Sequence, residues 1–294
     1  MPDLLKALKP GKVLVSDGAW GTYLHEKGLQ PGECPESWNL SHPEEVYDIA
    51  ISYVRAGADM IETNSFGGSR FKLRHYELED KVWEINREAA AISRKAAGDN
   101  RFVLGSIGPT GKLLMAGDVT EEELYDCFRE QASALQSGGA DAIIIETMSD
   151  LEEARIAVTA AKKHTSCTVI CTMTFERMAD GTFRTMMGVM PSEMPEVLIR
   201  AGADILGSNC GNGTRDMIPI LKELRSVNPD IPLIIQGNAG TPKYLEGKTV
   251  FMESPGETAS FVPELIRNKV NIIGGCCGTT PEHIRLIRRE VNKF

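Results

Sequence analysis

The sequence predicts an α/β chain of the (βα)8 TIM-barrel class, and three observations carry that reading. The chain has 294 residues, a length that suits one such barrel, which uses about 250 residues as a single domain. A phrase of the Ala-Gly-Ala-Asp type recurs ahead of apolar runs: residues 56–64 read AGADMIETN, and variants of it open at Gly138, Ala201 and Asn268. The runs themselves are apolar on successive residues, not alternate ones, as parallel strands covered by outer helices require.

Taken in order, the first strand is expected at 13–15, the second within 56–64 and the third at 102–107. The fourth follows Gly138, the fifth spans 168–175, the sixth follows Ala201, the seventh spans 232–236 and the eighth follows Asn268. Helices are expected between them at 43–55, 81–97, 121–137, 151–163, 194–200, 217–227, 257–268 and 281–291. Thr120 ahead of Glu121-Glu122-Glu123 reads as a capping box, and Thr280 ahead of Pro281 as a helix start with a first-turn proline. Eight strand-helix units favour a closed barrel over an open doubly wound sheet. No strand-turn-helix carries Gly-x-Gly-x-x-Gly with a later acidic partner, so a dinucleotide-binding fold lacks its signature. No linker rich in Pro, Gly and Ser interrupts the chain, and residues 1–294 are read as one domain.

Hydrophobic residues make up 42% and charged residues 25%, with no stretch near the roughly 20 apolar residues of a membrane helix. The opening MPDLLKALKPGK has no long apolar segment ahead of a cleavage site, which points to the cytoplasm. The formal net charge of -9, with no dense Lys/Arg patch, argues against nucleic acid or an anionic membrane as partner. Seven cysteines, at 34, 127, 167, 171, 210, 276 and 277, form no disulfide framework and fit a reducing compartment where thiolates remain available to metal.

In such a barrel the C-terminal strand ends form one ring, so position along a strand becomes position in space. That ring gathers Asp17, Glu62, Asn64, Ser106, Glu146, Asn238 and three cysteines, Cys210, Cys276 and Cys277. Sulfur ligands favour zinc, and three protein ligands with an open fourth position describe a catalytic site. A disulfide, or three unrelated core thiols, is the alternative. Adjacent strand residues point to opposite faces, so the backbone has to turn for Cys276 and Cys277 to share one ion, and Gly274, Gly275 and Gly278 supply the freedom. Asn238 is either a substrate-free fourth ligand through its side-chain oxygen or an asparagine easing the turn before Gly240.

The backbone amides of Gly18-Ala19-Trp20-Gly21-Thr22, just past the first strand, read as a small nest for a carboxylate, with Asp17 and Glu146 opposite to hold an ammonium group. Together they describe an amino-acid site. Glu62, Asn64 and Ser106 on the same rim are further candidate substrate contacts; the plainer alternative makes Asp17 a cap and Glu62 a buried hydrogen-bond hub. Met186, Met187, Met190 and Met194 are expected to fill a loose core after the fifth strand. No histidine stands at a strand end to act as ligand, and no lysine to form a Schiff base.

A zinc ion held by three thiolates is a mild Lewis acid toward water but well suited to holding an incoming thiol as thiolate, ready to attack a methyl group. The motifs Asp17-Gly18-Ala19-Trp20-Gly21-Thr22, Glu62-Thr63-Asn64-Ser65-Phe66, 105–111 (GSIGPTG), Glu146-Thr147, Asn209-Cys210, Asn238-Ala239-Gly240 and Gly274-Gly275-Cys276-Cys277-Gly278-Thr279 span the chain. In them the sequence resembles the homocysteine S-methyltransferase family, which includes the homocysteine-binding module of cobalamin-dependent methionine synthase. The resemblance implies zinc on Cys210, Cys276 and Cys277, and the homocysteine amino group on Asp17 and Glu146. It places the substrate carboxylate on the amides near Gly18 and Ala19, and Asn238 on zinc before substrate arrives. Trp20 stands where methionine is common, Ser65 where threonine is common, and Gln236 near a position often held by proline; no zinc ligand is lost.

The expected reaction is methyl transfer to L-homocysteine, giving methionine. Methylcobalamin on a separate corrinoid protein is the first expectation for the donor. A free S-methylmethionine, S-adenosylmethionine or betaine-like molecule is the second, and transfer to another thiol a near alternative. A structural zinc protein would close the fourth position, and a metal hydrolase would want histidine or carboxylate ligands.

Overall fold

A computed structural model describes residues 3–9, 11–245 and 248–294. Eight parallel strands are present: β1 (Leu14–Val15), β2 (Met60–Glu62), β3 (Phe102–Ile107), β4 (Ala142–Met148), β5 (Thr168–Met173), β6 (Ile205–Gly213), β7 (Leu233–Asn238) and β8 (Ile272–Gly275). They pair in the order β1-β8-β7-β6-β5-β4-β3-β2. The remaining seam, between β1 and β2, is joined mostly through side chains. Asp59 N donates to Val15 O (2.7 Å), Val15 N to Asp59 Oδ2 (2.8 Å) and Glu62 N to Asp17 Oδ2 (2.9 Å). Two short strands thus meet where carboxylates stand in for ladder carbonyls.

A helix follows each strand: α1 (Pro43–Ala56), α2 (Val82–Ala97), α3 (Glu121–Ser137), α4 (Leu151–His164), α5 (Met194–Ala201), α6 (Thr214–Val227), α7 (Val262–Arg267) and α8 (Pro281–Val291). The expected capping box at Thr120 is formed. Two helical expectations are corrected. Residues 217–227 belong to a helix that starts at Thr214, directly after the β6 glycine, so its polar first turn is not a loop. Residues 257–268 are two pieces, Pro255–Ser260 and α7, because Pro263 has no N–H to continue the first. No helix among the described residues is long and apolar enough to cross a membrane.

Period-two alternation sorts the strand residues by depth. Leu14, Met60, Leu104, Ile144, Ile170, Ile234 and Ile272 point inward and, with Leu4 from the short helix Leu4–Ala7 at the N-terminal end, form a buried apolar layer. Two residues further along, the inward positions turn polar and stay buried: Ser16, Glu62, Ser106, Glu146, Thr172 and Gln236. The apolar layer closes the N-terminal end, and the polar layer becomes the floor of a site.

Below the strands, the recurring phrase forms the same clamp four times. Its last residues, Asp59, Asp141, Asp204 and Asn271, accept from the backbone amides of Val15, Val103, Val169 and Leu233 at 2.8–2.9 Å. Each also meets a basic side chain from an outer helix: Arg288 of α8, Arg94 of α2, Lys162 of α4 and Arg225 of α6. Gly57, Gly139 and Gly202 take the left-handed turn at φ of +100°, +107° and +112°, and in the fourth copy Lys269 takes it at +60°.

Candidate metal centre and substrate pocket

The strand that carries Cys210 does not run straight. The β6–β7 register shifts between Asn209 and Gly213, and Cys210 and Gly211 have φ of +58° and +69°. A non-glycine residue in that region costs about 1–2 kcal/mol, so the bulge is held by its surroundings. Thr174 Oγ1 donates to Asn209 O at 2.9 Å, and a Cβ at Gly211 would lie 2.9 Å from Phe175 O. Across the mouth, Cys276 N donates to Gly237 O (2.8 Å) and Cys277 O accepts from Ala239 N (2.9 Å), which fixes both members of the adjacent pair.

Of the three glycines expected to free that turn, only Gly278 has a positive φ, +76°. Gly274 and Gly275 serve close packing instead: a Cβ would lie 2.7 Å from the Ser16 Cβ in one case and 2.3 Å from Thr279 Oγ1 in the other.

The three sulfurs lie within 4.8 Å of one another, with Cys210 and Cys277 3.9 Å apart. Thiolates about 2.3 Å from one tetrahedral ion sit about 3.8 Å from each other, so the geometry suits a single zinc. The protein atoms alone support one thiolate. The thiols of Cys276 and Cys277 donate to Cys210 and pull it down to about 3, and the same contacts hold Cys276 well above the ordinary thiol range and Cys277 up at about 12. Three thiolates together need a compensating cation. Asn238 Oδ1 is buried without a hydrogen-bond partner among the described residues, and the left-handed turn beside it falls on Gly240 (φ +85°), not on the asparagine. The Asn238 side chain reaches the cluster through a hydrogen bond to Cys210, which its amide nitrogen donates.

The cluster opens on a cavity of about 380 Å³. Glu62 and Glu146 face it from the floor and Glu36 from the loop after β1; its described lining holds no Lys, Arg or His. Asp17 lies behind, fully buried and off the lining, accepting from Trp20 Nε1 (3.0 Å), the Glu62 amide (2.9 Å) and Ser16 Oγ (3.2 Å). Burial pushes all of these carboxyls up: Asp17 to about 6, Glu146 to about 7, and Glu62 well above the carboxylate range, where the charges of Glu146 and Asp17 add to the effect. A cation entering the cavity would reverse each shift.

Asn209 ties the acidic floor to the sulfur cluster. Its Nδ2 donates to Glu146 Oε2 (2.9 Å) and Thr147 Oγ1 (2.8 Å), while its Oδ1 accepts from Thr147 N and Thr172 Oγ1, both at 2.8 Å. Thr147 pairs with it in a left-handed conformation, φ +61°. Ser106 Oγ donates to the other Glu146 oxygen. With no freedom to rotate, Glu146 is aimed.

A family model described as Homocysteine S-methyltransferase matches residues 14–291. The chain belongs to that family. It is 32% identical over 305 residues to the methionine synthases of Mycobacterium leprae (strain TN) and Mycobacterium tuberculosis (strain ATCC 25618 / H37Rv), alignments covering 98% of this chain and 25% of each relative. The chain thus spans about a quarter of their length. In fold it is similar to the crystal structure of the metallated homocysteine methyltransferase MmuM from Escherichia coli, with a TM-score of 0.80 at 22% identity over 98% of this chain and 99% of that one.

Seen as a homocysteine S-methyltransferase family member, the chain departs from its sequence reading at several places. The Ala19 amide, assigned to a substrate carboxylate, donates to Thr279 Oγ1 at 3.1 Å. Asn64 lines the cavity, but its Nδ2 donates to Pro35 O (2.8 Å) and Asn39 Oδ1 (3.1 Å), so it pins the loop that carries Glu36. Glu62 is both a lining group and a hub, accepting from Gln236 Nε2 at 2.6 Å. The methionines expected in a loose core divide: Met194 is fully buried, but Met186 is 81% exposed and Met187 is also exposed, because the loop after β5 turns outward as a hairpin of Glu176–Arg177 with Phe183–Arg184.

Sequence reading missed Glu36 and the aiming role of Asn209. Glu36 sits outside any strand end, and only its place between two cavity-lining loops marks it. Asn209 next to Cys210 was visible as part of a motif, but not its four bonds.

Proposed function

We propose that this chain is a zinc-dependent methyltransferase that methylates the thiol of L-homocysteine to give methionine, using a free cationic small molecule as methyl donor. The observation that carries it is the junction of a three-cysteine cluster with a 380 Å³ cavity whose described lining has carboxylates and no basic side chain. Zinc bound by Cys210, Cys276 and Cys277, with Asn238 beside them, would supply a thiolate from the substrate thiol near neutral pH. Glu146 and Glu62 hold the substrate ammonium, Asp17 adds negative charge from behind, and Asn209 fixes the direction of Glu146. Trp20 and Phe66 wall the mouth and exclude water. The thiolate lone pair forms the new S–CH3 bond as the donor's S–CH3 or N–CH3 bond breaks, and the donor leaves with one positive charge fewer.

Support for the donor has moved from the first expectation to the second. A cavity of this size takes homocysteine together with a small sulfonium or quaternary ammonium compound. The negative lining favours a positively charged donor. Likeness over 99% of the MmuM chain accords with this reading.

The test is methionine formation by the zinc-loaded protein from L-homocysteine with S-methylmethionine, S-adenosylmethionine, glycine betaine or methylcobalamin in separate reactions. Turnover with one of the first three supports the proposal; turnover with methylcobalamin alone replaces the donor. X-ray absorption at the zinc edge tests the acceptor independently: homocysteine should convert three sulfurs plus one light atom to four sulfurs, and an unchanged spectrum overturns it.

A further inference from the structure

The floor of the cavity has carboxylates for one ammonium group, yet a further buried carboxylate stands apart from them. Glu36 is 5% exposed and lines the cavity from the loop after β1, as do Trp20 and Phe66 from theirs. Its two protein partners are both uncharged: Gly67 N donates to Oε1 at 2.6 Å and the Cys34 thiol to Oε2 at 3.4 Å. Cys34 stays a thiol, since burial and the Glu36 charge push it up to about 12. Burial raises the pKa of Glu36, and the nearby charge of Lys72, which forms no salt bridge with it among the described residues, opposes that only weakly.

The surroundings hold this group in place. Asn64 donates to Pro35 O at 2.8 Å, next to Glu36 in the chain. A Cβ at Gly67 would lie 2.8 Å from Glu36 Oε1, so the amide reaches the carboxylate only because that residue is glycine. A Cβ at Gly108 would lie 2.6 Å from the Phe66 ring, which likewise rests on a glycine. A buried carboxylate with no ion-pair partner is costly, and a fixed one in a cavity that aromatic rings also line is complementary to a positively charged methylated centre.

We infer that Glu36 is the specificity-determining residue for the methyl donor, reading the positive charge of a sulfonium or quaternary ammonium group against the Trp20 and Phe66 rings. This rests on the donor reading above. A sulfonium becomes a neutral thioether when the methyl leaves, so its attraction to Glu36 is lost; a quaternary ammonium becomes a tertiary amine, which is neutral until it takes up a proton.

The test compares a cationic donor with methyl iodide, a neutral one that needs no recognition, on the zinc-loaded protein with saturating L-homocysteine. In Glu36→Gln, which keeps an oxygen for the Gly67 amide, the ratio of kcat/KM for S-methylmethionine or glycine betaine to the methyl iodide rate should fall about 10- to 100-fold, the loss of one charge contact at intermediate dielectric. The choice between those two donors in the unaltered protein tells sulfonium from ammonium. An unchanged ratio overturns the inference while leaving the function standing. Reaction with methyl iodide but with neither cation in the unaltered protein overturns the donor reading, and this inference with it. Should Glu36→Gln not fold, inhibition of the unaltered protein by a trimethylammonium compound and by its tert-butyl isostere decides: equal inhibition overturns the inference, and a 10-fold or greater preference for the cation, lost in Glu36→Ala and kept in Glu36→Asp, supports it.

Discussion

The two ends of the barrel use the same acidic side chains in opposite ways. At the N-terminal end Asp59, Asp141 and Asp204 each meet a backbone amide and a basic side chain, in one arrangement repeated around the ring. At the C-terminal end Asp17, Glu36, Glu62 and Glu146 have only uncharged hydrogen-bond donors among the described residues. The first set is charge-paired within the protein; the second is not, and in the proposed function a ligand supplies the positive charge. Repetition belongs to the end whose task is to hold strands together, which is the same task at each pair. Irregularity belongs to the end where unlike groups have to converge on one molecule.

The largest expected break of this contrast is at the sulfur cluster. Cys277→Ala should abolish zinc retention and methyl transfer, read by metal analysis and methionine formation, while the far-ultraviolet circular dichroism of the barrel persists. At the other end, Asp141→Ala removes the partner of Arg94 and of the Val103 amide and should cost about 2–4 kcal/mol in urea unfolding, with kcat/KM preserved. An activity loss from Asp141→Ala larger than its loss of folded protein would mean the two ends are coupled.

A pH series sharpens the comparison next. The folded pKa of Asp17, about 6, lies above its ordinary value of 3.8, so the folded state binds this proton more tightly than the unfolded state. Its contribution to stability is complete below the unfolded value and is lost as pH rises through the folded one. Asp17→Asn never ionises, and its stability relative to the parent should therefore increase between pH 4 and 7, by about 3 kcal/mol for a shift of this size. Homocysteine affinity should fall in the same variant. A flat difference across that range would remove the idea of a carboxylate held in waiting.

The smallest effect is at the fourth clamp. Lys269 occupies with a side chain the left-handed position that glycine takes in the other three copies. Lys269→Gly should stabilise the barrel by about 0.5–1 kcal/mol, measured by urea unfolding, since relief of the Cβ clash slightly exceeds the added chain entropy.

These differences also explain what the sequence made legible. The clamp phrase announces four strands because the same local physics writes three nearly identical phrases and a fourth variant, and continuous apolar runs mark the others. The three cysteines are legible because few residue types hold zinc and all three fall at strand ends. Glu36 was not, because its place depends on how closely two loops approach over Gly67, a distance no spacing rule reports. Asp17 stands at a strand end as expected, but its side chain turns into the β1–β2 seam, because both strands are too short to close it with carbonyls. The outward methionines escaped for a related reason: composition says what a loop can bury, and only the path of the hairpin says whether it does.

One more consequence lies in the bond between two neighbours. Asn209 holds Glu146 and Cys210 belongs to the three-cysteine cluster, so the proposed anchors for the amine and the thiol are joined through a single peptide unit on a bulged strand. That unit acts as a gauge. Under the proposed function, an amino acid thiol one methylene shorter than homocysteine should be the poorer acceptor, which kcat/KM with L-cysteine against L-homocysteine would show.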